Sequence, residues 1–285
     1  MAATPTMRRR ALGLELRSLR ESAGLTSEET AARMGWHPSK MTRLESGRSG
    51  LRVHEVTGLL DLFGVTDEEQ RASLEGLARE GKRRTWWQPY NDVLSQQYMN
   101  LIAFESEAQS IRNYELAMVP GLLQTPDYAR AITRGLRPDY SSDEVNALVD
   151  VRLHRQNQAL SREEPLQLWA ILDESVIRRT VGDAKVMTQQ LQALAEVSER
   201  PNITLQVLPF TAGVHIGLLG SFVILEFPIR SDLDVVYVEG QGSIVYLERE
   251  QDRTTYGHAF NLLRAAALDV EPSRELITRV MREQS

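Results

Sequence analysis

The chain of 285 residues contains no cysteine, which excludes disulfides and thiolate-bound metals and fits a cytoplasmic setting. Aromatic residues make up only 6% of it. No run approaches the roughly 18 apolar residues that a membrane-spanning helix needs. The first residues lead into Arg8, Arg9 and Arg10 and then an amphipathic segment, not an apolar core, so they do not read as a signal peptide. Enzyme signatures are missing too. His54-Glu55-Val56-Thr57-Gly58 starts like the zinc-protease H-E-x-x-H, but Gly58 stands where the second histidine must be. The histidines at 37, 54, 154, 215 and 258 are scattered without metal-ligand spacing. There is no G-x-S-x-G elbow and no G-x-x-x-x-G-K-[ST] phosphate loop. No catalytic residue, metal site or cofactor is therefore expected.

What is present describes an ordinary globular protein, 42% hydrophobic and 25% charged, long enough for two domains with separate cores. The net charge of -6 is unevenly spread. Residues 1–52 carry ten Lys/Arg against five Asp/Glu, which leaves residues 53–285 at -11. A basic module on an acidic body suits a protein whose first segment alone meets phosphates.

That segment holds the clearest pattern. Residues 26–47 read T-S-E-E-T-A-A-R-M-G-W-H-P-S-K-M-T-R-L-E-S-G, two short helical stretches broken at Gly35. Thr26 and Glu29 form a capping box for the first, and His37-Pro38 opens the second. Ala31, Met34, Trp36, Met41 and Leu44 can meet across the bend, leaving Ser39, Lys40, Thr42 and Arg43 outward. Around this hairpin the periodicity predicts helices over 8–22, 53–63 and 67–80, the last capped by Thr66 with Glu69 as its partner. Five short helices make an all-helical bundle over residues 1–80. The string from Ala23 to Arg48 resembles the XRE/Cro-type repressor module. The resemblance implies base contacts from Ser39, Lys40, Thr42 and Arg43, with Ser27 and Arg48 near phosphates. His37 departs from the usual smaller residue and is a further candidate for the DNA backbone, as are Arg8, Arg9 and Arg10.

Residues 81–92 form a basic and aromatic connector, K-R-R-T-W-W-Q-P-Y-N-D after Gly81, able to stack on nucleic acid or to pin one domain on the next. Beyond it, over residues 93–285, a helical pattern near 94–102 runs into an extended segment through Arg112 where helical and alternating patterns compete, a second helix begins near Pro126, and further helical patterns fall near 143–160, 183–198, 251–267 and 273–282. Strand-like runs fall at 166–171, 203–208, 221–227, 235–238 and 244–247. Short Gly- and Asp-bearing connections favour antiparallel pairing, giving an α+β domain with a mainly antiparallel sheet. Two features of this region invite chemistry and also have plainer readings. Asp173-Glu174 is an acid/base pair, or else surface charges or partners for Arg178 and Arg179. The glycine-rich A-G-V-H-I-G-L-L-G-S at 212–221 is an anion-closing loop or a hairpin that needs positive φ.

The strings V-P-G-L-L-Q-T-P-D-Y-A-R-A, I-L-D-E-S-V-I-R-R-T-V-G, P-N-I-T-L-Q-V-L-P-F and D-V-V-Y-V-E resemble a C-terminal domain of unknown function. It is found behind XRE modules in actinobacterial, WhiJ-like regulators. The resemblance implies a partner protein, small and often encoded alongside, and control of development or antibiotic production. The chain thus reads as a sequence-specific transcriptional regulator that binds double-stranded DNA at a palindromic or repeated operator. One module grips one half-site, so a homodimer is expected. Two rivals stand beside this: a small-molecule sensor domain, and a toxin-like enzyme with an autoregulatory DNA module.

Overall fold

A computed structural model describes residues 7–80, 86–90, 92–228, 233–241 and 243–284; residues 81–85 and 91 of the connector lie outside them. The chain forms two compact units, Met1–Pro89 with Ser95–Glu107, and Tyr90–Leu94 with Ala108–Ser285.

The first unit is helical: α1 (Met7–Ser22), α2 (Ser27–Arg33), α3 (Pro38–Glu45), α4 (Val53–Leu62), α5 (Glu68–Glu80) and α6 (Gln96–Glu107). The expected five helices are thus joined by a sixth, which packs on α1. Leu12, Leu16, Ala31, Met41, Leu44, Val56, Leu59, Leu60 and Leu74 form its core, with Met34 and Trp36 packed at the edge. Thr26 caps α2 as a full capping box. The start of α5 differs from expectation: Asp67, not Thr66, caps it, its Oδ1 accepting from the Glu69 and Gln70 amides at 2.9 and 3.2 Å. A carboxylate two residues before the first free amides reaches both.

The second unit is a six-stranded sheet with strand order β3-β2-β1-β4-β5-β6. Its strands are β1 (Ser110–Glu115), β2 (Gln167–Asp173), β3 (Ile203–Leu208), β4 (Phe222–Glu226), β5 (Val235–Gly240) and β6 (Ser243–Leu247). The expectation of a mainly antiparallel sheet is corrected here, because β1, β2 and β3 run parallel while β4, β5 and β6 add antiparallel. The cause lies in the connections. α7 (Pro126–Leu136) with α8 (Ser142–Leu160) links β1 to β2, and α9 (Glu174–Arg178) with α10 (Ala184–Val197) links β2 to β3. Such long helical crossovers are what parallel neighbours require, whereas the β4–β6 connections are short. α11 (Glu250–Ala266) sets Ala259, Phe260 and Leu263 against one sheet face with Tyr114, Ile171, Phe222, Ile224 and Val236. α12 (Val270–Glu283) packs against β3 and α10.

Candidate functional site

The hairpin of α2 and α3 turns at Gly35, whose φ of +67° is open to glycine and strained for other residues. His37 caps α3, its Nδ1 taking the Ser39 amide at 3.3 Å and lying 2.9 Å from the Ser39 hydroxyl. Met41 and Leu44 are buried beneath α3, while Ser39, Thr42 and Arg43 are exposed. The side chain of Arg43 makes no hydrogen bond or ion pair among the described residues, and the same holds for exposed Arg48 in the following loop. Ser27 is half-buried at the start of α2.

Lys40 is placed differently from its expected outward position. Its Nζ lies 2.6 Å from Glu55 Oε1 and 3.8 Å from the centre of the Trp36 ring, so the cation is held against α4. Burial pushes the Glu55 carboxyl up, but the Arg52 amide and the Lys40 ammonium outweigh it and hold the group below its ordinary value. Arg8, Arg9 and Arg10 occupy the first turn of α1 and are half-buried. The Arg8 amide donates to Glu107 at 3.0 Å, and the Arg10 guanidinium stands 5.9 Å from the Phe104 ring centre.

Sequence reasoning passed over the residues that brace α3. Arg20 is 8% exposed and forms a two-pronged pair with Glu45, Nε to Oε1 at 2.6 Å and Nη2 to Oε2 at 3.1 Å, while Nη1 donates to the Leu25 carbonyl. The only signal available was its position two turns along the same face as Gly13, which itself lies against the Leu44 and Glu45 carbonyls.

In the second unit, Asp173 and Glu174 are buried and not surface charges. Asp173 ends β2 and caps α9, with Oδ1 taking the Ser175 amide at 2.9 Å. Glu174 holds Arg178 at 2.6 Å and accepts from the Phe210 amide at 2.8 Å. The carboxylates therefore organise the segment after β3 and do not face a common space as an acid/base pair. On the polar helix α8, Arg152, Arg155 and Gln156 turn inward: Arg155 is buried, and Gln156 donates to the Gly121 and Gln124 carbonyls at 2.9 and 2.8 Å. Next to them a cleft of about 410 Å³ opens between Leu122, Thr125, Asn157, Glu196 and Arg200. Trp86 and Trp87 of the connector meet edge to face at 5.5 Å. Among the described residues no group of three or more His, Asp or Glu is arranged to hold a metal ion, and no helix is long and apolar enough to cross a membrane.

A capped helical hairpin whose second helix shows hydroxyls and a free cation is the architecture of a helix-turn-helix DNA-binding regulator, and residues 11–74 match a helix-turn-helix domain family. Residues 98–279, well over half of the chain, match the family described as Domain of unknown function (DUF5753), and the chain belongs to that family. No curated protein and no solved structure matches it.

Proposed function

We propose that the chain is a sequence-specific transcriptional regulator of the XRE/Cro type that docks α3 in the major groove as a homodimer. Its second unit receives the signal, from a small partner protein or a ligand. The observation that carries this is the outer face of α3: Ser39, Thr42 and Arg43 are exposed side by side, and the Arg43 side chain makes no hydrogen bond or ion pair among the described residues. Ser39, Thr42 and Arg43 are the base readers on this reading, Arg43 having the fork that matches guanine O6 and N7. Lys40 acts by fixing α3 on α4 through Glu55. Ser27, His37 and Arg48 sit at phosphates, where an unpaired cation such as Arg48 contributes without reading sequence. Arg8, Arg9 and Arg10 add positive charge near them. A WhiJ-like role in actinobacterial development accords with the pairing of the two domains. We assign the second unit no reaction. The Ser175 hydroxyl, close to Asp173 in the chain, is engaged by the Leu116 carbonyl at 2.6 Å.

Arg43→Ala is expected to weaken binding to the selected operator by about 1 to 3 kcal/mol and leave affinity for random duplex nearly unchanged. Arg48→Ala should weaken both about equally. Titration of labelled duplexes at fixed salt separates the two. Equal losses for Arg43→Ala on both duplexes would reassign it to the phosphates.

A further inference from the structure

Tyr114 lies near the end of β1, Asp173 ends β2, and His215 sits in the segment between β3 and β4. The three strands are parallel, so the three groups gather at their carboxyl ends. That edge of an open parallel sheet is where ligands bind, because the connections diverge there and leave a crevice. His215 Nε2 stands 3.6 Å from Asp173 Oδ2, with the two side chains 10% and 8% exposed. The imidazole is edge-on to the Tyr114 ring, centres 6.4 Å apart. Tyr114 is wholly buried, and neither its hydroxyl nor His215 Nδ1 has a hydrogen-bond partner among the described residues. Two buried polar atoms left unpaired at one place are costly, because neither regains the hydrogen bond it gave up to water. Burial, with the Asp173 charge behind it, raises the Tyr114 phenol well above its ordinary range, so the hydroxyl is a permanent donor.

The cover over these groups is a short turn, Ile216–Leu219, bracketed by Gly213 at φ +68° and Gly220 at φ +131°. Gly217 lies so close over Tyr114 that a Cβ there would collide with the hydroxyl end of the ring. Outward, the same segment shows Phe210, Val214, Leu218 and Leu219 to solvent, Val214 and Leu219 at 94% and 87%. Residues 209–222 include no Asp, Glu, Lys or Arg. Apolar side chains without cover and polar atoms without partners are thus separated by one glycine-hinged turn. A single kind of molecule satisfies both.

We propose that residues 213–220 are the lid of a binding site for an uncharged apolar small molecule with a hydroxyl head. The apolar body lies on Phe210, Ile216, Leu218 and Leu219. The head accepts from the Tyr114 hydroxyl and donates to His215 Nδ1. The Asp173 carboxylate behind His215 disfavours an anionic head, and a cationic head only donates, leaving the Tyr114 proton unmatched. The inference rests on the second unit being the signal receiver and names the class of signal.

Three probes with one tail test it on the full-length protein: 1-octanol, octanoate and octylammonium, followed through the backbone amide signals of residues 213–220 by NMR. Octanol is expected to shift these signals saturably and to bind at least about tenfold more tightly than either ion. Tyr114→Phe should weaken octanol about five- to tenfold while leaving the melting temperature unchanged or higher, because an unpaired buried hydroxyl is gone. Leu219→Ala, at a solvent-facing position, should weaken all three probes together and serves if Tyr114→Phe does not fold. Equal affinity for the three heads, no response at 213–220, or no effect of either variant overturns the site. Operator titration with and without octanol keeps the two readings apart: octanol bound with operator affinity unmoved leaves the site standing and removes the signalling role, while unaltered operator binding without octanol binding removes the site alone.

Discussion

Glu115, on the sheet face opposite Tyr114, shows how one side chain carries the balance between burial and hydrogen bonding. Burial is the largest influence on it, Ser221 and Asn113 donate against that, and the charge of Glu239 adds to the burial; the carboxyl is pushed up to about 7. In the unfolded chain a glutamate ionises near about 4.3. Between those values the folded protein holds a proton that the unfolded chain has released, so stability falls as pH rises through this window and the loss is complete above it. Glu115→Gln, which keeps an acceptor for Asn113, is expected to stabilise the protein at pH 8 on the order of 1–3 kcal/mol, with no gain at pH 4. Thermal melts at pH 4, 6 and 8 check this, and an equal gain at every pH would point to packing instead of charge. Nothing local in the sequence marks Glu115, nor the burial of Asp173 and Glu174. Their surroundings come from residues far along the chain, such as the Phe210 amide that meets Glu174. The caps Thr26, Thr125 and Asp183, by contrast, bond amides three residues away and are readable from spacing alone. The same difference explains Lys40: the helix wheel puts it outward, and only the packing of α3 on α4 brings Glu55 within reach.

At the level of elements, the placing of α3 depends on how closely α1 passes its carboxyl end. A Cβ at Gly13 would collide with the Leu44 and Glu45 carbonyl oxygens, and backbone atoms on both sides leave no side chain to move aside. Gly13→Ala is therefore expected to destabilise the protein by about 1–3 kcal/mol and to reduce operator binding. Gly76→Ala is the control: a methyl there meets nothing within 4 Å, so removing a glycine from α5 should stabilise by about 0.5–1 kcal/mol. Melting curves and operator titrations on both variants check the pair, and a neutral Gly13→Ala would mean that α1 can slide. Elements of this kind were largely legible, because a helix face or a run of β-branched residues is written locally. Their pairing was not. β1 reads Ser110, Ile111, Arg112, Asn113, Tyr114, Glu115, too polar to announce a central strand, yet it is flanked by β2 and β4. Helical and alternating patterns compete through Arg112, and that ambiguity hid the first crossover, and with it the parallel half of the sheet.

For the whole molecule the uneven charge sets how it meets DNA. The excess of positive charge lies in residues 1–52 and the remaining residues carry -11, so attraction to phosphate comes from one module per chain. Several cations of that module are already engaged: Arg20 pairs with Glu45, and Lys40 with Glu55. A single docked module thus neutralises few phosphates, and a lone chain should hold an operator weakly and release it readily in salt. A homodimer doubles the phosphate contacts and matches two half-sites about 34–36 Å apart. The logarithm of affinity against the logarithm of salt concentration falls with a slope of about -0.9 per phosphate neutralised. Light scattering is expected to give a mass twice the 32.2 kDa of the chain. On a two-half-site operator the salt slope should be about double that on a duplex with one half-site scrambled, since scrambling releases one module's contacts. An unchanged slope, or the same affinity on both duplexes, would show that one chain reads the site alone and overturn the homodimer.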